Sequence, residues 1–240
     1  MIGWYNVTCN NSKHIVQAQR YLFNKYTAWN PMYLDVKDNP LVNWGKKVAS
    51  MLPDEPYIIF GLDDFLPIDK MDMLRFADAL HIMKTTDLER FELGWGASGK
   101  KGFIDRINYI HQDDINGNKI PYLEYGHETP YKVSCQFSIW KTSALKRELN
   151  KCTDAWNFEV KGYCKAACFK SGTEVFRWIE ESAISGRQKG KINLCGLSAK
   201  DEKELLNLEL IEKDKIIYGW KGNSQRTEES YGNKYKQYFD

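Results

Sequence analysis

Along the first third of the chain, short apolar runs alternate with segments whose apolar residues recur every three or four positions. Trp4-Tyr5-Asn6-Val7-Thr8 reads as a strand, and Ser12 is placed to cap a helix with Ile15, Leu22 and Tyr26 on one side. Met32 to Val36 is a second strand. Pro40 opens a helix bearing Leu41, Trp44, Val48 and Leu52, and Pro53 ends it. Tyr57 to Leu62 is apolar nearly throughout, as a strand covered on both faces should be. Asp69 then caps a helix whose inner stripe is Met71, Leu74, Ala77 and Leu80. This β-α-β-α-β-α order predicts parallel strands joined by helical crossovers, a Rossmann-like half of an α/β domain.

The pattern changes after about residue 90. Arg90 to Trp95 and Lys119 to Tyr125 read as strands in a stretch rich in Gly, Asn and Asp. From Tyr131 to Trp140 the residues alternate, with Val133, Cys135, Phe137 and Ile139 on one face and Ser134, Gln136, Ser138 and Trp140 on the other. Helices are expected from Thr142 to Leu149, from Trp156 to about Phe169, and from Ser198 with Leu205, Leu208 and Ile211 inside. Together these predict one α/β domain with a mixed central sheet and a helical C-terminal part. The expected division is a Rossmann-like half over residues 1–95, a second half over 96–218, and a polar, aromatic tail over 219–240.

Composition narrows the function classes. Hydrophobic residues at 42% and charged residues at 28% fit a globular chain and exclude disorder. A net charge of +2 predicts no broad basic surface for nucleic acid. The basic clusters Lys100-Lys101, Lys141 to Lys151 and Arg187 to Lys191 read as solvated faces or as local contacts to an anion. Six cysteines without a CxxC pair, and with Cys164 and Cys168 four apart, complete no zinc pattern. The start Met1-Ile2-Gly3-Trp4 lacks a signal peptide's basic and apolar regions, and no run is long enough to span a bilayer. The expectation is a cytoplasmic protein with reduced thiols.

Candidate chemistry begins at YIIFGLDDFLP, Tyr57 to Pro67. Ligands of open α/β sheets collect at the carboxyl ends of the strands, and Asp63 and Asp64 stand at such an end. Two carboxylates there offer oxygen ligands to Mg²⁺ or Mn²⁺, which in turn binds a diphosphate. The competing reading makes them turn residues ahead of a helix. Thr8, Asn10 and Asn11, at the end of the first strand, are placed either to meet a nucleotide or to cap the helix that follows.

The β-α-β-α order with an acidic pair after the third strand resembles the glycosyltransferases of the GT-A fold, whose D-x-D signature holds a metal on the donor's diphosphate. The stretch Tyr131 to Trp140, followed by Lys141-Thr142-Ser143-Ala144-Leu145 and by Trp156-Asn157-Phe158-Glu159, is similar to a pattern of small bacterial and phage-type enzymes, in which S-x-Q-x-x-x-W precedes a helix and W-x-x-E follows. The chain departs from the family in reading Asp-Asp-Phe rather than D-x-D. It also has no His after His127, where many members supply a third metal ligand.

The resemblance implies transfer of a sugar from a nucleotide-sugar to an acceptor hydroxyl, with Asp63 and Asp64 at the metal, Asp64 the closer ligand. It places Glu159 as the acceptor-side base, with Trp156 as a platform for a sugar ring; the competing reading leaves Glu159 in the early turns of a capped helix. Gln136, Ser138 and Trp140 share a strand face that lines the sugar pocket or lies under a loop. Arg187, Lys189 and Lys191 in SGRQKGK either reach the donor phosphates or form a solvated loop. The acceptor is a cell-surface glycan or a hydroxymethylated base in viral DNA. A nucleotidyltransferase is the rival enzyme class, although TCNNSKH lacks its Gly-rich basic loop. A non-catalytic glycan- or nucleotide-binding module is the rival outside catalysis.

Overall fold

The computed structural model describes residues 2–9, 13–27, 29–36, 43–94, 107–113, 117–126, 132–169, 172–180, 192–194 and 197–217. Asn10, Asn11, Ser12, Pro40, Leu41, Trp95, Lys100, Lys101, Tyr131, Arg187, Lys189, Lys191 and the 219–240 tail lie outside them. The described elements are strands β1 (Gly3–Thr8), β2 (Met32–Asp35), β3 (Tyr57–Leu62), β4 (Phe65–Pro67), β5 (Arg90–Glu92), β6 (Ile107–Asp113), β7 (Lys119–Tyr125), β8 (Ser138–Lys141), β9 (Ala166–Cys168), β10 (Trp178–Glu180), β11 (Ile192–Asn193) and β12 (Ile216–Ile217). The helices are α1 (Lys13–Tyr26), α2 (Trp44–Met51), α3 (Met73–Thr85), α4 (Thr142–Leu149), α5 (Ala155–Lys161) and α6 (Ala199–Asn207).

Eight strands form one sheet in the order β2-β1-β3-β8-β5-β9-β7-β6. Strand β1 lies parallel to both β2 and β3, as the helical crossovers α1 and α2 require. Strand β8 runs antiparallel to β3 and β5, while β5 and β9 are parallel. The chain is therefore α/β with a mixed central sheet. Strands from before and after residue 95 interleave in that sheet, so the two expected halves share one framework. Among the described residues no helix is long and apolar enough to cross a membrane.

Both faces of the sheet are covered, which explains the nearly continuous apolar run of β3. Ile59, Phe91 and Ile139 face α3 and an aromatic cluster, while Ile58, Phe60 and Trp140 face α2, α4 and α5. Phe137 is the hub of the aromatic cluster, with ring centroids of Trp4, Phe23, Phe65 and Trp178 at 5.4, 5.2, 5.6 and 5.3 Å. Its ring lies against the backbone of Gly61: a Cβ there would stand 2.3 Å from Phe137 Cδ1. Only glycine lets β3 and Phe137 approach so closely.

Several sequence expectations are corrected. Helix α3 is capped by Asp72, whose side chain accepts from Leu74 N and Arg75 N, and it buries Phe76, Ala79, Ile82 and Met83. Leu74 is 78% exposed, and Asp69 instead accepts from Arg177 N and Nε at 2.7 and 2.6 Å. The helix expected to reach Phe169 ends at Lys161, and Ala166–Cys168 is a strand inside the sheet. Cys164 and Cys168 thus share no helical face. Of the described residues 132–140 in the alternating stretch, only Ser138 onwards is strand. Strand β5 stops at Glu92, and Leu208 is exposed while Leu205 is buried.

Two polar joints brace the fold. Arg90 and Glu92, on one face of β5, are both enclosed and pair at 2.9 Å. Arg90 also donates to Lys132 O at 3.1 Å, and Tyr125 donates to Glu92 at 2.9 Å. At the other joint, Asp201 of α6 accepts from Lys25 Nζ, Tyr26 Oη and Ser198 Oγ, while Lys25 also pairs with Glu204. Beneath it Ile15, Ala18 and Leu22 of α1 pack with Leu205 and Ile211.

Arg90→Ala leaves the Glu92 charge enclosed without its main partner. The expected loss is about 3–5 kcal/mol, measured by urea unfolding, whereas replacing exposed Leu74 by Ala leaves stability nearly unchanged. At the second joint, burial opposes ionisation of Asp201, but Lys25, Ser198 and Tyr26 outweigh it and hold the carboxyl below its usual range. A depressed carboxylate stabilises the fold above the unfolded pKa of about 3.9 and loses that contribution as pH falls through its lower folded value. Protection of the amides of residues 199–207, taken against the intrinsic exchange rate at each pH, should therefore fall below about pH 4. In Asp201→Asn it should be low already at neutral pH, with a weaker pH dependence.

Candidate functional site

The parallel half of the sheet presents its carboxyl edge where β1, β2 and β3 end. The β1–β3 register finishes at Val7↔Leu62, and Asp63 N donates to Val7 O at 3.1 Å, so Thr8 and Asp63 are neighbours across the strands. The β3–β8 register finishes at Phe60↔Ser138. Before Ser138 the chain bends, with the Phe137 ring against Gly61, which sets Gln136 near the end of β3.

Asp63 and Asp64 form the turn between β3 and β4 and are only 5% and 7% exposed. Thr8 and Gln136 on either side are also more than nine-tenths buried. Thr8 Oγ1 and Gln136 Oε1 make no hydrogen bond among the described residues. Enclosed polar atoms are ordinarily satisfied, so two such atoms flanking two enclosed carboxylates mark a place built for a polar partner. Among the described residues no group of three or more His, Cys, Asp or Glu is arranged to hold a metal. The donor set of the edge is the carboxylate pair, which suits a cation that keeps waters and phosphate oxygens in its shell.

Glu159 arrives from α5, whose N-cap is Asp154, accepting from Asn157 N at 2.7 Å. Glu159 Oε1 accepts from Cys135 N at 2.7 Å and from Ser134 Oγ at 3.2 Å. Ser134 Oγ in turn accepts from Gln136 N at 3.1 Å, and Ser138 Oγ donates to Gln136 O at 2.8 Å. Residues 135–137 bend rather than extend because these side chains satisfy backbone groups there. Glu159 therefore helps fix Gln136 at the edge. Burial, then the charges of Glu159 and Asp64, push the Cys135 thiol well above its ordinary pKa. Both carboxylates thus lie within electrostatic reach of one thiol, and a thiol held protonated there is no nucleophile.

The other expected residues divide. Trp156 stands 39% exposed, one turn before Glu159, while Phe158 between them is enclosed. Trp140 does not line a pocket: it is fully enclosed, its ring 6.0 Å from Phe158 and beneath the Arg90 guanidinium. Both sheet faces are buried here, so the alternation that set Trp140 apart from Ile139 separates two cores, not core from cleft. Ser138 is likewise enclosed. Asn10, Arg187 and Lys191, expected at the donor, lie outside the described residues.

Sequence reasoning missed Gln19. It falls four after Ile15 and three before Leu22, on the stripe that α1 buries, and is itself fully enclosed. A polar residue on an apolar stripe was the available signal. A separate cavity of about 430 Å³ includes Asp87, Glu89, Arg147, Glu148, Lys151 and Lys165 in its lining. It opens at the amino end of β5, the opposite edge of the sheet. Its charges neutralise one another, Arg147 pairing with Glu89 and Glu148 at 2.8 and 2.7 Å, Lys151 with Glu148, and Lys165 with Asp87. It is an ion-paired groove without the enclosed, unsatisfied atoms of the carboxyl edge.

Glu159→Ala should cost about 1–3 kcal/mol, because the Cys135 N–H loses its acceptor. Glu159→Gln keeps an acceptor oxygen in the same place and should unfold within about 1 kcal/mol of the parent. Thermal unfolding of the two variants side by side separates them.

Comparison of the chain with known protein families, curated proteins and solved structures returns no match, so its placement rests on the sequence and on the geometry of this edge.

Proposed function

We propose that the chain is a glycosyltransferase of GT-A type, moving a sugar from a nucleotide-sugar donor to an acceptor hydroxyl at the carboxyl edge of β1 and β3. The observation that carries this reading is the enclosure of Asp63 and Asp64 side by side at that edge. Two carboxylates enclosed where parallel strands of an α/β sheet end offer oxygen ligands to a divalent cation bridging to a donor diphosphate, and Asp63 and Asp64 are the residues that would hold it. When bound, Mg²⁺ or Mn²⁺ supplies Lewis acidity that offsets charge on the departing diphosphate.

The chain's own residues then take distinct parts. Thr8 and Gln136 offer a hydroxyl and an amide to the donor from either side of the acidic turn. Glu159 accepts the proton of the acceptor hydroxyl, while its Oε1 keeps Cys135 and Ser134 in place. Trp156 offers an exposed aromatic face to a sugar ring, which favours a glycan acceptor, as does the net charge of +2. A hydroxymethylated base in DNA is the other acceptor to assay.

A thermal-shift screen of nucleotide-sugars with and without Mn²⁺ tests the donor site. A donor at one hundred times its dissociation constant should add about 2.7 kcal/mol of stability. No stabilisation by any nucleotide-sugar, with or without the cation, overturns the proposal. With a donor identified, Glu159→Gln should keep the fold and lower turnover by about a hundredfold or more. Full turnover in that variant would leave Glu159 only its part in holding residues 134 and 135.

A further inference from the structure

Gln19 uses all four hydrogen-bonding positions of its side-chain amide. Its Nε2 donates to Leu62 O at 3.0 Å and to Phe65 O at 2.7 Å. Those carbonyls are the last before and the first after Asp63-Asp64, so one amide brackets the acidic turn. Its Oε1 accepts from Asn6 Nδ2 at 3.0 Å and from Tyr33 Oη at 2.6 Å. Asn6 Oδ1 in turn accepts from Trp4 Nε1 at 3.0 Å.

The direction of this chain is dictated by chemistry. An indole nitrogen only donates, so Asn6 must turn its oxygen to Trp4 and its NH₂ to Gln19. Gln19 must then turn its oxygen to Asn6 and its NH₂ to the two carbonyls. The flipped amide would set NH₂ against the Asn6 NH₂ and oxygen against two carbonyls, losing three of the four bonds. The network is buried: Trp4, Asn6 and Gln19 are at most 2% exposed. Burial pushes the Tyr33 phenol above its ordinary pKa, with the nearby Asp63 charge adding to the effect and Arg20 opposing it. Tyr33 therefore stays a protonated donor through the neutral range. The Asp63 N–H bond to Val7 O supplies a third tether.

We infer that Gln19 is a positioning residue that fixes the Asp63-Asp64 turn from α1, and so sets the separation and direction of the two carboxylates for a divalent cation. This rests on the reading of those carboxylates as cation ligands. Gln19 itself touches neither cation nor substrate; it acts through the backbone on both sides of the pair. Partners that orient metal ligands are commonly worth about ten- to a hundredfold in affinity. Gln19→Met keeps the length and packing of the side chain while removing both donors.

The test is a Mn²⁺ titration followed by electron paramagnetic resonance, with and without UDP or GDP, on the parent chain, Asp64→Asn, Gln19→Met and Leu205→Ala. Leu205 lies in the core between α1 and α6, takes no part in the hydrogen bonds of the turn, and reports what a loss of stability alone does to Mn²⁺ affinity. The expected result is one Mn²⁺ on the parent, with affinity lower by about tenfold or more in Asp64→Asn and Gln19→Met and parental in Leu205→Ala. Parental affinity in Gln19→Met beside a weakened Asp64→Asn overturns the role of Gln19 and leaves the cation site standing. Equal affinity in the parent and Asp64→Asn, or no binding by the parent, overturns the cation site and this role with it. Weakening in Leu205→Ala as large as in Gln19→Met reduces the effect to stability and also overturns the role. Should Gln19→Met not fold, Tyr33→Phe withdraws a single donor from the Gln19 oxygen and leaves both carbonyl bonds possible. It should weaken Mn²⁺ measurably, and parental affinity there overturns the role.

Discussion

Enclosing two carboxylates on adjacent residues is the constraint around which the rest of the chain is arranged. Each loses most of its hydration at the end of β3, and each repels the other across a single peptide bond. A turn of this kind holds its shape only if its backbone is tied down independently of the charges. The ties come from different directions: Val7 O from β1, and the Gln19 amide from α1 at both flanking carbonyls. Behind the turn Phe65 and Phe137 pack at 5.6 Å and close the aromatic core. The acidic pair is thus set on rigid elements rather than on a free loop, as the proposed ligand site requires.

The opposite wall is built by other means. Residues 132–137 form no strand, yet all are buried. Arg90 takes Lys132 O, Cys164 Sγ lies 3.3 Å from the same oxygen, and Glu159 takes Cys135 N. Arg90 is itself anchored by Glu92, which Tyr125 also holds. An enclosed ion pair adds little net stability over an apolar pair. Here it orients a guanidinium toward a backbone that has no strand partner to satisfy it. The pair's contribution is one of placement, which is why it sits under the segment leading to Gln136.

Much of the framework was legible in the sequence because periodicity reports burial. The apolar run 57–62 gave β3, the span Lys119–Tyr125 matched β7, and Thr142–Leu149 matched α4. Asp63 and Asp64 were visible as charges where a strand stops. What stayed hidden had no periodic signature. Ala166–Cys168 is too short to alternate and follows a helix closely enough to extend its pattern. Trp140 and Ile139 alternate faithfully, but alternation distinguishes faces and not exposure, so a strand buried on both sides misleads. The stripe of α3 was misplaced because Asp69 resembles a cap; its carboxylate holds Arg177 while Asp72 begins the helix. Gln19, Asn6 and Trp4 come together only through the β1–α1 packing, and no spacing rule predicts a relay whose direction follows from one indole.

In the proposed reading, Glu159 serves structure and chemistry without conflict. Its Oε1 is committed to Cys135 N and Ser134 Oγ, and those bonds fix the carboxylate plane and hence the direction of the second oxygen. A base must meet its proton at hydrogen-bond distance in a defined direction, and a carboxylate at the end of three rotatable bonds is poorly defined unless something locks it. The bonds that look purely structural are therefore what a base at this position needs. They also explain the separation of effects between its two substitutions. Under that proposal alanine removes lock and base together, whereas glutamine keeps the lock and removes only the basic oxygen, so the proposed chemistry of the edge can be read apart from its architecture.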